Sequence, residues 1–176
     1  MRKKFDQRRL MYNKSEDLYF ITYNVILILY HLKCNNQKKQ FKDYRKLVFL
    51  IPIISDDKLT TVLLDYYKGK NNPNKILRNV INRLYYDSIE NIILVRYILI
   101  ILEKKGVIKL VNEANRTNLY LNDIENYSAL VNDPRFSKEI ERIENIKNNI
   151  NQLSRLNYMT FVENFFKRNG VAIWEN

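Results

Sequence analysis

SIENIILVRYILIILEKKGVIKLVNEANRTNLYLN, residues 88–122, is the stretch whose reading decides the fold. Its first half, 88–105, has the length of a helix and ends in Lys104, Lys105 and Gly106. Cations suit the negative end of a helix, and glycine adopts the left-handed backbone that closes one. VIKLVN (107–112) and TNLYLN (117–122) follow as two short β-prone runs joined by EANR. A helix leading into a β-hairpin is the layout of a winged helix-turn-helix. A helix that reads DNA presents polar and basic side chains to the major groove. Here Ile89, Ile92–Val95 and Tyr97–Leu102 leave Arg96 as the one cation before Lys104. Such a helix is apolar almost all round, so it is expected to be buried on most sides and not to read bases.

Upstream, Ser15 reads as the N-cap of a helix to about Leu32, with Leu18, Ile21, Val25, Leu29 and Leu32 on one side. Residues 34–40 are a polar loop. KLVFLIPII (46–54) then interrupts polar, basic surroundings with eight consecutive residues, seven apolar and one a proline set among them. Pro52 has no N–H to donate and disfavours α geometry at Ile51, which predicts a buried helix ending near Leu50. Ser55 or Asp56 caps the next helix, to about Tyr67. KGKNNPNK is a loop, and Pro73 stands near the start of a further helix with Ile76, Leu77, Val80, Ile81 and Leu84 as its buried stripe.

Downstream, IENYSALV is a short helix and Asp133-Pro134 a break. From Ser137 the pattern predicts one long helix, or two with a bend near Asn157. Ile140, Ile143, Ile146, Ile150, Leu153 and Leu156 recur at threes and fours, a narrow stripe suited to packing along another helix. The helix ends at Asn169-Gly170 and leaves VAIWEN as an apolar tail. The expected fold class is mostly α with a small β-hairpin wing, a winged helix-turn-helix-like helical domain with a long C-terminal helix. Residues 1–134 form that domain, with a basic N-terminal arm, and 135–176 form a helical extension with the tail. Ile140, Ile143, Ile150, Leu153, Val171, Ile173 and Trp174 are the candidate partner-binding residues, because apolar groups at the periphery of a chain need a cover.

Of 176 residues, 46% are apolar, enough for a core, and three Gly with three Pro are too few for a turn-rich β-sandwich. Cys34 and His31 are the single cysteine and histidine, which excludes disulfide frameworks and Cys/His zinc sites. No phosphate-loop, dinucleotide, zincin or nucleophile-elbow motif is present. Asp56/Asp57 and Glu139/Glu141 read as a helix start and a charged helix face. The expectation is a protein without enzymatic activity, metal or cofactor. MRKKFDQRRLMYNKSED lacks the apolar segment of a signal peptide, and Val25–Tyr30 and Ile89–Leu102 are too short or interrupted to span a bilayer. A cytoplasmic protein without membrane contact is expected.

The net charge of +11 is uneven: residues 1–88 hold 18 Lys/Arg against 8 Asp/Glu, and 89–176 hold 12 against 11. Segments 1–14, 33–50 and 66–83 each carry +5. Such clusters suit sequence-independent contact with a DNA or RNA backbone or contact with an acidic protein face, and the alternative is a solvated basic surface. Arg2, Lys3, Lys4, Arg8, Arg9, Lys38, Lys39, Lys68, Lys70 and Arg116, the last at the wing tip, are the nucleic-acid candidates.

TYNVILILYHL (22–32), the apolar run Leu47–Ile54 around Pro52, and the helix-to-wing passage of 94–122 together resemble the middle component of prokaryotic ABC-three-component systems of the Lamassu anti-phage type. The resemblance spans about residues 20–122 and rests on apolar patterning around one proline. It implies a small winged-helix adaptor without catalytic activity, placed between an SMC-like ATPase and a nuclease effector that it holds inactive. The competing reading is a winged-helix DNA-binding regulator that dimerises through the 140–156 helix. An RNA-binding or replication-associated accessory is the third.

Overall fold

The computed structural model describes residues 17–174. Helix α1 (Leu18–His31) is capped by Asp17, whose carboxylate accepts the Tyr19 N–H at 2.8 Å. The expected cap, Ser15, lies outside the described residues. Six consecutive α1 residues, Asn24–Leu29, are buried, so this helix is enclosed on all sides and not on one stripe. The other longer helices are α2 (Leu47–Ile54), α3 (Asp57–Tyr66), α4 (Lys75–Glu90), α5 (Ile92–Lys104) and α7 (Ser137–Asn149), of which α2, α5 and α7 pack directly on α1. A two-stranded antiparallel hairpin, β1 (Ile108–Glu113) with β2 (Arg116–Leu121), follows α5 in the register Ile108↔Leu121 to Glu113↔Arg116. Phe41 adds a single antiparallel bridge to Leu119 on the outer side of β2. The short α6 (Ser128–Val131) precedes α7, and α8 (Tyr158–Phe165) closes the chain. The fold is mostly helical with one hairpin, as expected.

KLVFLIPII answers to burial: every residue of α2 except Pro52 is buried. Contrary to expectation the helix does not stop at Leu50 but runs through Pro52 to Ile54. Pro52 deprives only the Val48 carbonyl of its helical donor, and it lines an open groove as the one residue of this helix that is not buried. Ser55 then donates to the Ile51 carbonyl at 2.7 Å at the helix end.

The α4–α5 junction also departs from the reading. Ser88–Glu90 complete α4 and α5 starts at Ile92, with Asn91 capping the first helix at φ −84°, ψ 1°. Ile76, read as core, is exposed, because the first turn of α4 projects beyond the bundle.

The long C-terminal helix is interrupted. α7 ends at Asn149, residues 150–157 turn, and α8 begins at Tyr158. The turn needs left-handed backbone at Gln152 (φ 55°). A straight helix would carry Ile150 and Leu153 away from the core, whereas the turn returns both to it, at 3% and 4% exposure. Its carbonyls are met by Lys46, a fully buried lysine whose ammonium donates to Leu153 O at 2.7 Å, Ser154 O at 3.3 Å and Leu156 O at 2.6 Å. The charge also lies 4.4 Å from the centre of the Phe41 ring. Burial lowers the Lys46 pKa to about 7, against the pull of Asp43.

One hydrophobic core runs across the boundary expected at residue 134. Phe49 of α2 packs on Tyr85 of α4 (5.9 Å between ring centres), on Tyr158 and Phe161 of α8 (both 6.1 Å) and on Phe166 (4.8 Å). An α2 aromatic surrounded by rings from three later segments makes the C-terminal helices part of the main body.

Candidate functional site

The α5 surface corrects the most consequential sequence reading. Val95, Ile98, Leu99 and Leu102 are buried, but Ile93, Tyr97 and Ile100 are 77%, 57% and 39% exposed. Spacings of four and three put these three side chains on one stripe of the helix. Arg96 beside them is exposed and takes part in no ion pair among the described residues. The hairpin packs at the far end of this helix: the Glu103 carboxylate accepts the Leu110 N–H at 2.8 Å. The helix before the hairpin therefore shows solvent an apolar stripe, where a DNA-reading helix would carry polar and cationic groups. Nothing in the sequence distinguishes this stripe from the buried one, since both faces carry Ile, Leu or Tyr.

Of the predicted partner-binding residues, Ile143, Ile150, Leu153 and Val171 are buried in the protein's own core and form no free face. Their periodicity is satisfied internally: α7 packs against α1 and α3, and Arg142 of α7 holds Asp57 at 2.7 Å and the Ile54 carbonyl at 2.9 Å. Ile140 and Ile173 are half-buried. Trp174 alone is open, at 64%. The tail is strapped along α4: Tyr86 donates to the Ala172 carbonyl at 3.3 Å, and the Trp174 N–H donates to the Tyr85 hydroxyl at 3.0 Å. The backbone of Trp174 is fixed while its ring faces water.

A groove of about 550 Å³ opens between α1, α2, α3 and α4, with Ile21, Val48, Ile51, Pro52 and Leu84 in its floor and Arg83, Asp87 and Asp56 among its polar lining residues. The Ser88 hydroxyl, buried there, has no hydrogen-bond partner among the described residues.

The cationic candidates do not converge. Arg116 is paired with Glu113 across the hairpin turn, so the hairpin tip offers no unpaired arginine. Lys38 and Lys39 are exposed on the turn at Asn36–Lys39, whose N–H groups bond the Asn36 side chain at 3.0 and 2.9 Å. Lys68 and Lys70 are exposed on the turn after α3. Arg2, Lys3, Lys4, Arg8 and Arg9 lie outside the described residues.

The titratable groups sit in structural roles. Asp56 caps α3, accepting the Leu59 N–H at 2.9 Å, and the hydrogen bond from Arg142 lowers the Asp57 pKa. Burial raises the Cys34 thiol to about 12, so it is protonated at neutral pH and a poor nucleophile. His31 Nδ1 lies 3.3 Å from Glu144, with no hydrogen bond to Cys34. Among the described residues no three His, Cys, Asp or Glu side chains group to hold a metal ion, and no helix is long and apolar enough to cross a membrane. No family model matches this chain, and neither a curated protein nor a solved structure does.

Proposed function

We propose that the protein is a non-catalytic adaptor of the kind its sequence resemblance implies, a small subunit that bridges an SMC-like ABC ATPase and a nuclease effector in an anti-phage or anti-plasmid defence complex. The observation that carries the reading is the stripe Ile93–Tyr97–Ile100 on α5. Three large apolar side chains on a helix otherwise built into the core gain by being covered, and a central aromatic flanked by aliphatic groups is the composition of a protein-binding hot spot. Trp174, held at its backbone and open at its ring, is a second anchor. The helix and hairpin are read as a winged-helix-like pair in which the helix docks protein and the wing shapes the end of the domain.

The test is purification of the tagged protein at native expression level, with mass spectrometry of what accompanies it. An SMC-like ATPase and a nuclease-like subunit in fixed ratio, lost in Tyr97→Glu but kept in Lys109→Glu on the exposed wing, is the expected result. Recovery of the chain alone, or of a homodimer preferring one duplex sequence, would replace the adaptor with the winged-helix regulator.

A further inference from the structure

We propose that a composite cationic face, made by the turn Tyr67–Gly69, the loop and first turn leading into α4, and the turn Lys167–Asn169, binds the phosphodiester backbone of nucleic acid without reading its sequence. The proposal is independent of the adaptor reading. It rests on charges that are distant in the chain and adjacent in the fold. Asn169 fastens the two turns: its side-chain amide donates to the Tyr66 carbonyl at 2.9 Å and to the Phe165 carbonyl at 2.5 Å. Asn164 adds a bond to the Tyr67 hydroxyl at 3.3 Å. The turns approach so closely that a β-carbon on Gly69 would lie 3.3 Å from Arg168 Cβ, and one on Gly170 would lie 3.6 Å from Arg78 Nε. Both glycines have left-handed backbone, φ 62° and 83°, and their missing side chains let the two arginines flank the junction. Lys68, Lys70 and Lys75 are exposed on the same loop and helix start.

Among the described residues five arginines are paired and four, Arg78, Arg96, Arg155 and Arg168, are not; Arg78 and Arg168 are the two that flank one junction. Arg45, Arg83, Arg116, Arg135 and Arg142 each lie against a carboxylate. Among the described residues no ion pair joins Lys68, Lys70, Lys75, Arg78 or Arg168, although Asp65 and Glu163 are near them in sequence. Drawing like charges together without compensation opposes folding, and a bound polyanion removes that repulsion. The N-terminus of α4 acts in the same sense. Asn74 accepts the Leu77 N–H at 2.9 Å, and the N–H groups of Lys75 and Ile76 have no acceptor within the helix. Ile76 is the one large apolar side chain exposed in this helix turn, too little to seat the face in a membrane. Arg78 falls within the +5 segment 66–83 and Arg168 follows Lys167, but ninety residues separate them and only the fold brings them to one junction.

The test is fluorescence anisotropy of labelled short duplexes of unrelated sequence over a salt series, with the full chain. Each phosphate neutralised contributes about −0.9 to the slope of log affinity against log salt. Arg78→Gln with Arg168→Gln should reduce the steepness by about 2 and weaken binding on the order of tenfold at low salt, equally for all sequences. Lys68→Gln with Lys70→Gln, on an exposed turn, gives the same answer should the arginine pair disturb folding. Lys38→Gln with Lys39→Gln should leave the slope unchanged. Absence of duplex binding, an unchanged slope in both face variants, or an equal loss in the Lys38/Lys39 variant would overturn the assignment. So would binding only to polyglutamate or to vesicles of anionic lipid, which would make the face an acidic-protein or lipid site.

Discussion

Replacing Lys46 by Met keeps the length and apolar stem of the side chain and removes the ammonium. Three carbonyls then lose a donor. Ser154 O keeps the Lys42 N–H at 2.8 Å, so two acceptors, Leu153 O and Leu156 O, are orphaned. An unsatisfied buried acceptor costs about 1–3 kcal/mol. Burying a methyl thioether in place of a charge returns part of that, which places the loss near ~3 kcal/mol, a large share of a typical stability of about 5–15 kcal/mol. Urea unfolding followed by far-UV circular dichroism reads it as a lower midpoint with an unchanged slope. The pH dependence has a definite sign. The folded pKa of about 7 lies below the ordinary 10.5, so between these values the unfolded chain binds a proton that the folded chain does not. Stability from this group therefore rises as pH increases through that window. The advantage of wild type over Lys46→Met should widen from pH 7 to about pH 9. A loss below about 1 kcal/mol at pH 7 would show that the turn at 150–157 does not depend on Lys46. A pH-independent difference would show that the three carbonyls cancel the effect of burial on its titration.

Tyr97→Glu should abolish partner recovery while changing the urea midpoint by less than about 0.5 kcal/mol, because the ring faces solvent; equal losses of both would make Tyr97 a structural residue. Trp174→Ala should weaken partner binding in a folded protein, whereas deleting 171–176 removes buried Val171 and the bond to Tyr85 and should cost about 1–3 kcal/mol by the same assay. A deletion as stable as wild type would show that the strap adds nothing to the fold. Asp133, whose pKa the Arg135 hydrogen bond lowers to about 2, contributes stability above its ordinary value of 3.8 that is lost as pH falls toward 2. Arg135→Gln should shift the acid unfolding midpoint of the protein upward, and an unmoved midpoint would show that the pair is silent.

Short-range chemistry was legible in the sequence. Asp56 at the start of α3, the helix closing at Lys104–Gly106, and the hairpin with its charged turn all follow from caps, backbone freedom and alternation, which act over a few residues. Burial of Leu47–Ile54 followed from its apolar run, although the reach of the helix past Pro52 depended on the groove beside it. What the sequence could not settle is which of several equivalent apolar faces meets which. Ile143, Ile150 and Leu153 had the spacing of a docking stripe, but all three are buried in the protein's own core, Ile143 and Leu153 beside Ile28 of α1 and Leu50 and Ile54 of α2. Ile93, Tyr97 and Ile100 lay in a helix apolar all round, and only the position of its neighbours determined that this face stayed open. The same holds for charge. Lys46 reads as the basic edge of an apolar run until the 150–157 turn brings three carbonyls to it, and Arg78 and Arg168 become one cationic face only through Asn169. Local preference is written residue by residue, whereas burial and the pairing of charges are properties of surfaces that exist only once distant segments have met.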